Sequence, residues 1–138
     1  MGRKTIYLGA QTTVKILLTN DDGILAPGII ALHKALQTLG ELVVIAPKTV
    51  QSAMSHGITY TTPLMTEHVE ITPEISGVSV DGRPADCVKV AMRAIWEERF
   101  GEGSKPDLTI SGMNSGANVG INIIYSGTVA AAIESAFL

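Results

Sequence analysis

Continuous apolar runs alternate along the chain with segments whose apolar residues recur at helical spacing. The runs lie at 14–19, 42–46 and 108–111, and each has about the length of one buried strand. Between the first two runs, apolar residues recur every three or four positions, which predicts a helix over 27–40. Strands that are apolar on both faces are typical of a parallel sheet covered by helices. The pattern therefore predicts an α/β fold with a Rossmann-like, doubly wound, mostly parallel sheet and helices on both faces.

The remaining elements follow from the same kinds of pattern. Residues 57–80 alternate Thr, Val and Ile but include two prolines, which predicts an irregular β-hairpin extension. Apolar residues on one face predict a second helix over 84–100. A third helix, rich in alanine, begins near Thr128 and has no stop signal by Leu138. We therefore expect the chain to be cut, either as an isolated fragment or as the ordered N-terminal part of a longer protein.

The first thirteen residues are set apart from this pattern. They combine Gly2, Arg3 and Lys4 with an apolar patch at 6–10, which is too short for the core of a secretory signal. We expect residues 1–13 to be a leader or N-terminal extension. Residues 14–138 are expected to form one domain, because a chain of this length supports a single hydrophobic core.

Composition narrows the possible partners and the cellular compartment. The net charge of −3 comes without a run of Lys or Arg, which argues against a stable nucleic-acid complex. No apolar stretch is long enough to span a bilayer, so we expect no membrane association. The single cysteine, Cys87, lies among apolar neighbours and is expected to be a core thiol. A chain that cannot form an internal disulfide fits a reducing cytoplasm.

Polar loops follow each of the three predicted parallel strands, after Thr19, Ala46 and Ser111. The carboxyl ends of parallel strands meet at one edge of the sheet, and doubly wound sheets bind ligands there, near the switch in strand order. We therefore expect the three loops to converge on one functional site.

The first loop places two carboxylates side by side. Asp21 and Asp22 follow the end of a buried strand, and like charges this close are unfavourable unless a positive charge lies beside them. Gly23 permits the chain to turn sharply around a cation. The alternative is ordinary turn and helix-capping chemistry, to which Asn and Asp are well suited. The adjacent pair at a strand end favours a metal-binding role.

The second and third loops offer neutral oxygen ligands. The Ser52 hydroxyl could reach the same cation, and Asn114 offers an amide oxygen from a loop rich in Gly and Asn. A donor set made only of oxygens selects a hard cation, Mg²⁺, Mn²⁺ or Ca²⁺, over zinc. His56 in the second loop is a candidate proton donor to a leaving group, and the alternative is a solvated loop histidine.

The start of the final helix is a candidate anion site. Ser126 or Thr128 can act as a plain N-cap, and the free N–H groups of a helix start also suit a phosphate. Both roles can be filled at once. A hard cation beside such a helix start points to the chemistry of phosphate esters.

From Lys15 to Leu138 the sequence resembles the SurE family of metal-dependent nucleotidases, also called survival protein E. Five motifs in order carry the resemblance: Ile-Leu-Leu-Thr-Asn-Asp-Asp-Gly at 16–23; Ala-Pro at 46–47 with Gln-Ser at 51–52; Gly-Arg-Pro-Ala-Asp-Cys-Val at 82–88; Pro-Asp-Leu-Thr-Ile-Ser-Gly at 106–112 with Asn114; and Gly-Ala-Asn-Val-Gly at 116–120 with Tyr-Ser-Gly-Thr-Val at 125–129. Two features depart from the family pattern. Family members normally continue well past the point where this chain stops. In addition, Lys-Thr-Val at 48–50 stands where they often carry a more acidic or basic polar loop.

The resemblance implies a set of site residues. It implies metal ligands at Asp21, Asp22, Ser52 and Asn114, with the two aspartates as the catalytic residues. It implies phosphate contacts at Ser126, Gly127 and Thr128, with Asn118 nearby. The implied cofactor is one divalent cation, Mg²⁺ or Mn²⁺.

The implied activity is hydrolysis of nucleoside 5′- and 3′-monophosphates to nucleoside and inorganic phosphate, by a cytoplasmic dimer or tetramer. Either a water activated by the cation or one of the aspartates could be the nucleophile, and we favour water. Two other functions stay open: a nucleotide- or phosphate-binding fragment with impaired catalysis, and a phosphatase of the haloacid dehalogenase type. The second uses an Asp-x-Asp spacing, so the adjacent pair Asp21 and Asp22 counts against it.

Overall fold

The computed structural model describes residues 13–138, so the predicted N-terminal extension, up to residue 12, lies outside the described residues. The strands in this part of the chain are β1 (Lys15–Thr19), β2 (Glu41–Pro47), β3 (Thr66–Thr72), β4 (Ile75–Val80) and β5 (Leu108–Ser111). The α-helices are α1 (Pro27–Leu36), α2 (Pro84–Val90), α3 (Trp96–Phe100) and α4 (Gly127–Phe137). A π-helical segment, Ala91–Ile95, joins α2 to α3, and a 3₁₀ helix, Gly120–Tyr125, precedes α4.

Within residues 13–138, the five strands form one sheet in the order β3-β4-β2-β1-β5. Strand β1 pairs in parallel with β2 on one side and with β5 on the other, and β2 pairs in parallel with β4. Only β3, at the edge, runs antiparallel to its neighbour β4. The predicted mostly parallel sheet is confirmed. The predicted hairpin is also present, but it consists of β3 and β4 alone, because residues 57–65 of the predicted range form no strand. Its second strand joins the main sheet because it pairs with β2.

The side chains of β1 alternate between two apolar layers. Ile16 and Leu18 belong to the cluster that includes Ile29 of α1. Leu17 points to the opposite face and belongs to the cluster that includes Trp96. Successive residues of a strand face opposite sides of its sheet, so these two clusters lie on the two faces. The predicted cover of helices on both faces is confirmed.

The second face carries two further helices. Ala131 of α4 packs against Val88 of α2 and Met92 of the adjoining π-helical segment. Cys87 is fully buried on this face, which confirms the expected core thiol. Burial, and then the neighbouring Asp86 carboxylate, raise the pKa of the Cys87 thiol well above its ordinary value, so the thiol stays protonated at neutral pH.

Several helix boundaries differ from the prediction. Helix α1 ends at Leu36 and continues as a turn to Leu39, whereas the sequence predicted a helix as far as Gly40. The helix predicted over 84–100 is helical throughout, but its middle turn is wider than an α-helical one. The 3₁₀ helix was not predicted. None of the helices in residues 13–138 combines the length and the apolar character needed to cross a bilayer.

The strand order fixes where the loops of interest emerge. From β1 the chain passes through α1 to β2 on one side, and it later returns through α2 to β5 on the other side of β1. The carboxyl ends of β1 and β5 are therefore neighbours at the switch in strand order, where open α/β sheets hold their ligands. The register confirms the adjacency, since Thr19 at the end of β1 is paired with Ser111 at the end of β5.

Truncation of a central side chain should measure how much the two apolar layers contribute to the free energy of unfolding. Leu17 is 0% exposed, so we expect Leu17→Ala to lower the free energy of unfolding by about 3 kcal/mol through lost burial and a residual cavity. The matched control is Leu39→Ala, because Leu39 is 59% exposed and its loss should cost less than about 0.5 kcal/mol. Urea denaturation measures both variants, and equal losses would contradict the described core.

Candidate active site

Asp21 lies where β1 ends, and it contacts two other segments of the chain. Its side chain is buried, and its Oδ1 accepts a hydrogen bond of 2.6 Å from the hydroxyl of Thr128 on α4. Its main-chain oxygen accepts a hydrogen bond of 2.7 Å from the N–H of Gln51, in the loop after β2. The residue therefore ties the end of β1 to the start of α4 and to the second loop.

Gly127 lets the first turn of α4 lie directly against this aspartate. A Cβ atom at Gly127 would stand 2.8 Å from the Cβ of Asp21 and 2.9 Å from Cγ of Pro84, which is closer than carbon atoms pack. The absence of a side chain thus allows the N–H groups of a helix start to approach a buried carboxylate. A helix N-terminus carries partial positive charge, which favours an anion at this position.

Asp22 is held by the loop that follows β5. Its Oδ2 accepts a hydrogen bond of 2.9 Å from the N–H of Ser115, and its Oδ1 accepts one of 3.1 Å from the Ser115 hydroxyl. Ser115 was not among the residues predicted from the sequence. Nothing in the local sequence marks it, because its role depends on a partner 93 residues away.

The turn that carries both aspartates is fixed by its own side chain and by glycine. Asn20 donates from Nδ2 to the main-chain oxygen of Gly23 at 2.8 Å and accepts from the Gly23 N–H at 3.2 Å. Gly23 has a φ of 96°, a conformation that other residues rarely adopt, so the sharp turn expected at this position is observed.

The loop after β5 is held close to β1 and to α1. The Gly112 N–H donates to the main-chain oxygen of Thr19 at 2.8 Å. A Cβ atom at Gly28 would collide with the main-chain oxygen of Met113, so α1 and this loop are in direct backbone contact. Asn114 donates from its Nδ2 to the main-chain oxygen of Gly116 at 2.8 Å, which leaves its Oδ1 available as a ligand.

The sequence-predicted residues are brought together to different degrees. Asp21 contacts Gly127 and Thr128 directly. Asn114 precedes Ser115, whose N–H is hydrogen-bonded to the Asp22 carboxylate. Ser52 follows Gln51, whose N–H is hydrogen-bonded to the main-chain oxygen of Asp21. Ser52 is exposed and Asn118 is half-buried, and in the described part of the chain neither makes a hydrogen bond to Asp21 or Asp22.

Ser126 fills the structural role that the sequence offered as an alternative. Its Oγ accepts a hydrogen bond of 3.2 Å from the N–H of Val129, so it is the N-cap of α4. The cap engages one of the free donors at the start of the helix, while the N–H groups of Gly127 and Thr128 precede the first intrahelical donor, Ala130. An anion site at this helix start is compatible with the cap.

In the part of the chain that the structure describes, no basic side chain balances the charge of the two aspartates. Within residues 13–138 the ion pairs involve Glu67, Glu134 and Glu41, and neither Asp21 nor Asp22 has a cationic partner. The same residues contain no cluster of three or more His, Cys, Asp or Glu side chains able to hold a metal. Two carboxylates with neutral hydroxyl and amide oxygens nearby fit a hard cation such as Mg²⁺ or Mn²⁺, since such ions accept oxygen ligands of this kind.

A second polar cluster lies further along α4 and was not predicted as a unit. His56 Nε2 is 2.7 Å from Oε2 of Glu134, and Nζ of Lys89 is 3.1 Å from the other oxygen, Oε1. The Glu134 side chain is only 9% exposed. Burial alone would raise the pKa of Glu134, but the hydrogen bonds and positive charge from His56 and Lys89 outweigh it and lower that pKa below its ordinary value. His56 was predicted as a possible proton donor, and the structure places its Nε2 on a buried carboxylate.

Comparison with known proteins adds three findings. The family model described as Survival protein SurE matches residues 16–138. The chain is 48% identical over 124 residues to a protein of Rhodopirellula baltica named 5′-nucleotidase SurE, covering 90% of this chain and 47% of that protein. It is 50% identical over 125 residues to the protein of the same name from Carboxydothermus hydrogenoformans, covering 88% of this chain and 45% of that one.

A solved structure of a SurE protein is also similar to this chain. The crystal structure of the SurE protein from Aquifex aeolicus superposes with a TM-score of 0.75 at 46% sequence identity, covering 89% of this chain and 46% of that chain. The chain thus spans about half the length of the curated relatives that it matches.

The close packing of Gly127 on Asp21 should be sensitive to one added methyl group. We expect Gly127→Ala to lower the free energy of unfolding by about 2 kcal/mol, because the new Cβ must displace Asp21 or Pro84. Gly116→Ala is the matched control, since the nearest atom to a Cβ there is Asn114 Nδ2 at 3.6 Å, an ordinary contact. Urea denaturation compares the two variants, and a harmless Gly127→Ala would refute the described packing.

The lowered pKa of Glu134 predicts a pH dependence of stability. A carboxyl group whose pKa is depressed in the folded state stabilises that state above its ordinary pKa of 4.5, and the stabilisation is lost as the pH falls through the folded value. We expect Glu134→Gln to cost about 2 kcal/mol at pH 7. The difference from the unaltered protein should shrink as the pH falls from 5 to 3, as measured by urea denaturation at each pH. A difference that is constant over this range would contradict the assigned shift.

Proposed function

The chain belongs to the SurE family, and from this premise we propose that it carries the centre of a metal-dependent phosphomonoesterase. The proposed reaction is hydrolysis of nucleoside 5′- and 3′-monophosphates to nucleoside and inorganic phosphate. The relatives named 5′-nucleotidase SurE support the 5′ activity, and the chain spans about half of their length. The names of these relatives do not mention 3′ activity. We add nucleoside 3′-monophosphates to the proposed substrates because they are also phosphate monoesters of a nucleoside.

One observation carries the proposal: the buried carboxylate of Asp21, which precedes Asp22 in the chain, lies against the start of a helix. A phosphate bound to the N–H groups of Gly127 and Thr128 would lie close to the carboxylate of Asp21, because Gly127 packs on that side chain. Two anionic groups at such a distance repel each other unless a cation lies between them. The arrangement therefore supports a site that binds phosphate and a divalent cation together.

We propose that Asp21, Asp22, Ser52 and Asn114 hold one Mg²⁺ or Mn²⁺ ion. When bound by these residues, such a cation would supply polarisation of a phosphoryl oxygen and activation of water. The donor set supports this choice, since it combines two carboxylates with one hydroxyl and one amide oxygen. The Thr128 hydroxyl holds one oxygen of Asp21, and Ser115 holds both oxygens of Asp22, so the two carboxylates are fixed before a ligand arrives.

The proposed phosphate contacts are Ser126, Gly127 and Thr128, with Asn118 nearby. Donors fixed by the first turn of α4 can stabilise the charge that develops on the phosphoryl oxygens without having to reorganise. We propose water rather than an aspartate as the nucleophile. Both aspartates are held in place by hydrogen bonds, which suits a fixed ligand of a cation better than a group that must attack phosphorus.

The proposed assembly is a dimer or tetramer in the cytoplasm. Its support is the large apolar side chains that the 3₁₀ helix leaves exposed, among them Ile121, Ile124 and Tyr125. Exposed apolar patches of this kind mark surfaces where proteins associate.

Removing one charge from the aspartate pair tests the proposal. We expect Asp21→Asn to reduce phosphate release from AMP at least about 100-fold and to abolish its dependence on added Mn²⁺, because the substitution removes one of the two negative charges that would hold the cation. The matched control is Asp107→Asn. Asp107 lies at the amino ends of β1 and β5, away from the site, and accepts a hydrogen bond from the Lys15 N–H. This control should keep both activity and Mn²⁺ dependence.

The assay is phosphate release from a panel of nucleoside 5′- and 3′-monophosphates, with EDTA and with added Mn²⁺ or Mg²⁺. Full activity of Asp21→Asn would refute the assignment. Binding of AMP and Mn²⁺ by the unaltered protein without any phosphate release would instead identify a binding module without catalysis.

A further inference from the structure

We propose that His56, Glu134 and Lys89 form a positioning bridge that holds the loop after β2, and hence Ser52, at the proposed metal site. This inference rests on the proposed function, because it concerns how the same site is assembled. The three residues do not touch the aspartates and are therefore positioning residues. The loop comprises residues 48–65, which contain no regular helix or strand.

The bridge joins three separate elements through one buried carboxylate. Glu134 lies on α4, Lys89 on α2 and His56 in the loop, and each basic group takes a different oxygen of the carboxylate. A buried charge is costly unless it is paired and hydrogen-bonded, and here both oxygens have a partner. A carboxylate satisfied in this way is a fixed point to which the loop can attach.

The loop has two neighbouring main-chain attachments that a fixed His56 would support. The Gln51 N–H donates to the main-chain oxygen of Asp21 at 2.7 Å, and the Ser55 N–H donates to the main-chain oxygen of Tyr125 at 3.0 Å. Ser52 lies between these two donors in the chain. The Ser52 hydroxyl is therefore placed by the residues on either side of it, since its own side chain is exposed.

A single helix then supports both halves of the proposed centre. Thr128 at the start of α4 holds Asp21, and Glu134 in the last half of the same helix holds His56. Six residues of helix span about 9 Å, so the two contacts are a fixed distance apart. The bridge thereby sets the position of the Ser52 loop relative to the aspartate and to the helix start.

A second ion pair on the same loop provides a matched control. Lys48 and Glu67 are 3.1 Å apart, and their side chains are 57% and 63% exposed. Exposed ion pairs of this kind contribute little to the stability of the fold, because water screens both charges. Lys48→Ala therefore removes a salt bridge from the loop without removing a buried anchor.

The first measurement needs no activity. In the unaltered protein, NMR hydrogen exchange reports the protection of the Gln51 and Ser55 amides. We expect His56→Ala and Glu134→Ala to speed exchange of both amides about tenfold, because the loop opens more often. Lys48→Ala should leave both rates unchanged. His56 is the milder site, since its side chain is 33% exposed, and His56→Ala carries the test if Glu134→Ala does not fold.

The second measurement is the affinity for Mn²⁺ alone, by isothermal titration calorimetry. We expect His56→Ala and Glu134→Ala to weaken it about tenfold, the usual scale for groups that orient metal ligands. Glu134→Gln should recover part of the affinity, because a glutamine can still bond to both neighbours. Lys48→Ala should bind Mn²⁺ as the unaltered protein does.

The outcomes separate this inference from the proposed function. Unchanged exchange rates in both variants would overturn the bridge as an anchor of the loop. Faster exchange with unchanged Mn²⁺ affinity would reduce it to a structural contact and would equally overturn the positioning role. An unaltered protein that binds no Mn²⁺ would overturn the proposed function itself.

Discussion

The hydrogen bond from Thr128 to Asp21 is the contact on which the arrangement of the site depends. It joins the carboxyl end of the central strand to the first turn of the last described helix, across 107 residues of chain. The contact is possible only because Gly127 leaves room for the carboxylate. The carboxylate is deeply buried and has no basic partner among the described residues, and the proposed cation would supply the missing positive charge.

The sheet topology explains why such distant residues meet. Parallel strands deliver their carboxyl ends to one edge, and β1 lies between β2 and β5, so the loops after all three strands emerge side by side. Each loop then bonds back to β1 or to the turn that follows it: Gln51 to Asp21, Ser115 to Asp22 and Gly112 to Thr19. The fold thus supplies the proximity, and individual hydrogen bonds supply the orientation.

Much of the sheet was predictable, because burial on both faces leaves a direct mark on the sequence. The run at 108–111 matches β5 to the residue, and the run at 42–46 extends by only one residue at each end. Local signals also identified the aspartate turn, since Asn20 and Gly23 act on their own neighbours.

The features that escaped prediction depend on distant partners or on weak local preferences. Ser115 and Glu134 acquire their roles from Asp22 and His56, and no local pattern encodes those contacts. The 3₁₀ helix Gly120–Tyr125 has mostly exposed apolar side chains, so it lacks the one-sided pattern from which a helix is recognised. The π-helical turn Ala91–Ile95 lies inside a continuous apolar stripe. Such a stripe predicts a helix but does not distinguish a π-helical turn from an α-helical one.

The buried position of Cys87 has a practical consequence. Its thiol is the single one in the chain, is fully buried in the apolar cluster between α2 and the sheet, and is held in the unreactive protonated form. A cysteine introduced on an outer loop, for example at Met54, would therefore react with a maleimide dye alone, without any need to remove the native residue. Fluorescence could then follow the motion of that loop in an otherwise unaltered molecule.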